Sequence, residues 1–76
     1  RENNENAAKY LERAIESDSI DSVTKGDYMM ELGTFYFKKM NDASAAANSA
    51  LSAGDFNEDV IGRAYLLMGH IWANAK

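Results

Sequence analysis

His70 is the only imidazole in the chain, and it stands without a cysteine or a matched carboxylate. Alone it makes neither a metal site nor a nucleophile–base pair, so a structural or surface-contact role is read for it. Carboxylates gather at Asp18 and Asp21, and again at Glu58 and Asp59. Neither group has the spacing of a calcium loop, with its central glycine and closing glutamate. Both fall where helices are expected to begin, and there an acidic side chain satisfies orphan N–H groups and suits the positive end of the helix dipole. With no cysteine there is no disulfide, thiolate nucleophile or thiolate metal site. Glycine-rich phosphate loops, zinc-binding helix motifs and strand-borne nucleophile motifs do not occur. The expectation is a chain that is not an enzyme, with no metal and no cofactor.

The balance of charges narrows the partner class. Twelve acidic residues against eight basic ones leave a net charge of −4, and the basic residues are scattered. Nothing offers a continuous positive face to a phosphate backbone, so nucleic acid is not an expected partner. The longest apolar stretches, such as 64–68, are far too short to span a bilayer, so no membrane partner is expected either.

Any binding surface must then be positioned by secondary structure, and the composition is that of helices. Apolar residues make up 46% of the chain and charged residues 26%, proportions of a folding sequence. There is no proline, and Ala, Leu, Met, Lys and Glu outnumber the β-branched types. At 76 residues the chain lies near the size where one core only just offsets the entropy of ordering the backbone.

Spacing resolves four amphipathic segments. In 4–17, Ala7, Tyr10, Leu11, Ala14 and Ile15 recur at helical intervals, opposite Glu12, Arg13 and Glu16. The second, 22–40, is dense with Met29, Met30, Leu32, Phe35, Tyr36, Phe37 and Met40, and Lys38 and Lys39 suit its C-terminal dipole. Asn41 and Asp42 break it. The third, 42–53, is mostly Ala and Ser, with Leu51 its one large apolar side chain, and Gly54 is expected to close it in the left-handed conformation. The fourth runs from about residue 57 to the end with Val60, Ile61, Tyr65, Leu66, Met68, Gly69, Ile71 and Trp72. A helical pattern reaching both ends of the sequence leads us to expect a piece of a longer array.

A shift of 36 residues superposes Ala7 on Ala43, Ala14 on Ala50, Gly26 on Gly62 and Gly33 on Gly69. It also pairs Ile15 with Leu51, Ile20 with Phe56, Leu32 with Met68, Phe35 with Ile71 and Tyr36 with Trp72. The spacing of Met29, Leu32, Gly33 and Tyr36, repeated as Tyr65, Met68, Gly69 and Trp72, resembles the first helix of a tetratricopeptide repeat. Ala7, Leu11 and Ala14, and more loosely Ala43, Ala47 and Ala50, resemble its second helix. In such repeats the Gly admits a neighbouring backbone and the aromatics fill the space between helix pairs. The period here is 36 against the usual 34, no proline follows the second helix, and Ala47 stands where an aromatic is customary. A repeat of the Sel1 kind, or another α-solenoid, fits as well.

The resemblance implies an all-α fold of antiparallel helix pairs, a right-handed α-solenoid fragment of about four helices. Residues 1–76 then form one helical-repeat domain: 4–17 the second helix of one repeat, 22–53 a full repeat, 57–76 the first helix of the next. It also implies a function, a scaffold module that binds a protein or peptide on its concave face, with an amphipathic helix or extended peptide as the fitting partner. On that face the resemblance places Asp27, Met30, Thr34, Phe37 and Lys38, followed by Arg63, Leu66, His70, Ala73 and Asn74. The alternative is structural, a solenoid segment or self-associating bundle whose apolar faces meet only neighbouring repeats or other copies in a homo-oligomer. The Lys and Asn arrangement that clamps a peptide carboxylate in this family is not reproduced.

Overall fold

Asp21 caps a helix start as expected, and Asp42, read in the sequence as part of a break, caps another. Asp21 Oδ1 accepts the Thr24 N–H at 2.8 Å, and Asp42 Oδ1 accepts the Ala45 N–H at 3.1 Å. Each satisfies a donor that its own helix leaves unpaired. The Thr24 N–H, with the Thr24 side chain behind it, holds the Asp21 carboxyl below its ordinary pKa. The helices they introduce belong to a computed structural model that describes residues 2–74. Helix α1 spans Glu2–Glu16, α2 Ser22–Lys39, α3 Ala43–Phe56 and α4 Ile61–Asn74, and a 3-10 turn, Glu58–Val60, leads into α4. No strand occurs among the described residues. The fold is all-α, as the composition implies.

Between α2 and α3 the chain reverses within three residues, Met40 to Asp42. Asn41 takes a left-handed backbone, with φ of 52°, and the Asp42 N–H donates to the Tyr36 carbonyl at 3.0 Å. Asn tolerates that conformation better than most residues because its short polar side chain bonds locally.

Two local expectations are corrected. Gly54 does not close α3, since no glycine among the described residues has a positive φ and the helix runs on to Phe56. The end is set by Asn57, whose backbone is extended and whose N–H donates to the Ala53 carbonyl at 3.0 Å. The fourth helix does not start directly after that residue either, because the 3-10 turn comes first, with the Asp59 N–H on Asn57 Oδ1 at 2.9 Å. Residues 75 and 76, assigned by sequence to the last helix, lie outside the described residues.

Packing follows chain order. α1 lies on α2 through Ala8, Ile15 and Leu32, with Leu11, Tyr28, Met29, Phe35, Tyr36 and Met40 around them. The two run antiparallel, because Asn4 Nδ2 reaches the Lys39 carbonyl at 3.3 Å while the Tyr36 hydroxyl donates to Glu12 at 2.6 Å. A second core joins α2, α3 and α4 through Met30, Ala46, Ala50, Ala53, Val60, Ala64, Leu67 and Ile71. α1 touches neither α3 nor α4.

The closest approach is between α2 and α3. A Cβ on Gly33 would stand 3.1 Å from the Ala46 carbonyl oxygen and 3.3 Å from the Ala50 nitrogen. One on Gly26 would overlap Asn57 Cβ and lie 3.0 Å from the Ala53 carbonyl oxygen. Glycines on α2 and alanines on α3 thus let two backbones meet, the role expected of Gly33. The same expectation for Gly69 is corrected: nothing lies within 4 Å of a Cβ built there or on Gly62. Those two glycines face outward because no described helix covers that side of α4.

Candidate functional site

Because α1 and α4 both pack on α2 without touching each other, a trough remains between them with α2 as its floor. Its volume is about 970 Å³. Leu11 of α1 forms one edge, and Arg63, Leu66, Leu67 and His70 of α4 form the other. From α2 come Asp27, Tyr28, Met30, Glu31, Thr34, Phe35, Phe37, Lys38 and Lys39. Residues spaced three and four apart on one helix share a face, which is how α2 supplies so much of the lining.

Eight of the ten residues placed on the concave face, Asp27, Met30, Thr34, Phe37, Lys38, Arg63, Leu66 and His70, line this trough. Asn74 is exposed at the end of α4 and does not line it, and neither does Ala73. The eight are not equally available to a partner. Met30 is buried in the core with Ala46 and Ala50, so it supports the floor. Phe37 is half-buried against the same cluster. Leu66 is 63% exposed and is the apolar side chain of the wall most open to a partner. The Thr34 hydroxyl is occupied, donating to the Met30 carbonyl one turn back at 3.1 Å.

One end of the trough is tied together by polar contacts. Asp27 Oδ1 accepts from Asn57 Nδ2 at 3.0 Å and lies 3.5 Å from an Arg63 guanidinium nitrogen. Asn57 Nδ2 also donates to the Val23 carbonyl at 3.0 Å. Asn57 is the buried polar residue of the structure, 5% exposed, and its bonds join the start of α2 to the entry of α4. This orients Asp27 and Arg63 without burying them. Away from that end the trough is lined by Lys38 and Lys39 of α2 and by His70 of α4. The trough therefore runs from an acid-containing end at Asp27 and Glu31 to a basic end, over an apolar floor.

Sequence reasoning missed Leu11, Tyr28, Glu31, Phe35, Lys39 and Leu67 as lining residues. Glu31 could have been found, because it lies four residues after Asp27 and three before Thr34, on their face of the helix. Leu11 could not, since its place depends on how far α1 and α4 are held apart. Among the described residues no group of three or more histidine or acidic side chains could hold a metal ion, and no helix is long and apolar enough to cross a membrane. No family model matches the chain, and neither a curated protein nor a solved structure matches it.

Proposed function

We propose that this chain is a helical-repeat binding module, tetratricopeptide-like in design, whose α1–α2–α4 trough takes an amphipathic helix or an extended peptide. The observation that carries the reading is the trough itself, with open walls and apolar floor in one continuous cleft. A peptide of mixed character fits it, with apolar side chains over Phe35, Phe37 and Leu66 and an acidic residue toward Lys38 and Lys39. Its contacts would be apolar burial along the floor and charge pairing at the rim, where steering adds more to the association rate than to affinity.

Selection from an unbiased peptide display library tests the proposal. Recovered peptides should be amphipathic and acidic at one end, and should shift the amide resonances of Lys38, Leu66 and His70 when titrated into labelled protein. Leu66→Asp should abolish their binding and leave the melting temperature unchanged, because that side chain is largely in water already. Peptides that bind elsewhere, or a library that yields none, would remove the trough as the functional surface.

A further inference from the structure

The bare face of α4 has a covered counterpart inside the same molecule. The shift of 36 residues that carries α2 onto α4 also carries α1 onto α3. On α2, Gly26, Met30, Gly33 and Phe37 form the side on which α3 lies, with the α3 backbone against both glycines. The corresponding residues of α4 are Gly62, Leu66, Gly69 and Ala73, all exposed, flanked by Tyr65 at 68% and Trp72 at 74% exposure. At the other end of the molecule α1 packs on α2 alone. The α3 residues Ala46, Ala50, Ala53 and the following Asn57 correspond to Tyr10, Ala14, Ser17 and Asp21, and Tyr10 is 69% exposed.

We infer that the α4 face of one copy receives α1 of a second copy, head to tail, continuing between molecules the α2–α3 contact made within one. Two features single out a second copy as the occupant. The first is volume: Tyr10 stands where α3 has the small Ala46, and the receiving helix compensates with Ala73 where α2 has the large Phe37. The second is charge. Within the chain Asn57 donates to Asp27 across this contact at 3.0 Å. The counterparts are Asp21, which follows α1 as the cap of α2, and Arg63 on the receiving helix, which also pairs with Asp27: an exposed carboxylate set against an exposed guanidinium. Docking joins two different surfaces, so each copy keeps one donor and one acceptor end, the arrangement that generates chains or rings of subunits.

Sedimentation velocity from micromolar to millimolar protein tests this, with two variants that each block one end. Tyr10→Arg disables the incoming helix and Gly69→Glu fills the receiving face, and both positions are open enough for the fold to tolerate the change. The unmodified chain should gain mass progressively with concentration, and less so in high salt. Each variant alone should remain monomeric, and an equimolar mixture should form a one-to-one dimer, because each retains the end that the other lacks. A chain that stays monomeric throughout overturns the inference. So does a variant that associates like the unmodified chain, or a mixture that fails to dimerise.

Discussion

Helices α2 and α4 carry glycines at the same spacing, Gly26 and Gly33 in one, Gly62 and Gly69 in the other, yet their surroundings are opposite. Around α2 a helix lies on either side, and its glycines are buried at backbone contact distance from α3. α4 has its packed face on α2 and α3, while the side bearing its glycines looks into solvent. A glycine inside a helix costs about 0.5–1 kcal/mol relative to alanine unless a close approach recovers it. On α2 that recovery is visible in the structure, and on α4 none is made among the described residues. A motif in sequence thus names the kind of neighbour a position suits, and only the fold shows whether the neighbour is present.

The largest expected effect breaks the covered side of the comparison. Gly26→Ala places a methyl group in overlap with Asn57 Cβ and against two backbone atoms, none of them the end of a flexible side chain. Overpacking of this kind costs about 1–3 kcal/mol, and forcing Asn57 aside also strains its bonds to Val23 and Asp27. Denaturant unfolding should show a loss at the upper end of that range. At the equivalent site on α4, Gly62→Ala should instead stabilise the chain by about 0.5–1 kcal/mol.

How much of this could be read beforehand divides along the same line. Four helices and the cap at Asp21 were legible because apolar spacing and capping chemistry are local, and the close-packing role of Gly33 followed from the resemblance; Asp42 was read only as a break. Eight of the residues that line the trough, among them Asp27, Thr34 and Lys38, were placed on one face by the resemblance. Gly54 misled because a glycine after an alanine-rich helix is a usual stop, whereas here the end is decided by Asn57, a residue held by partners 30 and 34 positions away. Met30 was read as groove surface and is core, since the depth of a helix face depends on where α3 and α4 settle. Gly69 was read as packed because its spacing repeats that of Gly33, whereas among the described residues nothing lies against it.

A second prediction sharpens the account on the α1 side, where a hydrogen bond supplements the apolar contact. Donation to Glu12, aided by partial burial and the nearby carboxylate charge, pushes the Tyr36 pKa up from 10.0 to about 12. Folding thus raises this pKa, so the contribution is intact below pH 10 and is lost as pH rises toward 12. Tyrosinate absorbance should show one of the four tyrosines titrating near pH 12, and Glu12→Ala should return it toward 10. Titration of all four at the ordinary value would place α1 differently on α2.

The smallest effect concerns the turn that brings α3 back onto α2. Asn41 holds a left-handed backbone that glycine adopts at no steric cost. Asn41→Gly should therefore be neutral or stabilising by roughly 0.5 kcal/mol, and Asn41→Val should lower stability, as read from paired melts.

The most direct test of the central claim sets Gly33→Leu against Gly69→Leu in thermal melts, at protein concentrations low enough to keep the chain monomeric. Leucine at Gly33 must displace the Ala46 and Ala50 backbone, and a net loss of about 1–2 kcal/mol is expected after helix propensity is credited. At Gly69 nothing lies within 4 Å, and a gain of about 0.5–1 kcal/mol is expected. At about 4–8 °C per kcal/mol for a domain of this size, the two melting temperatures should move in opposite directions from the unmodified chain and separate clearly. Equal shifts of the same sign would contradict the account, showing that α2 and α4 are covered alike.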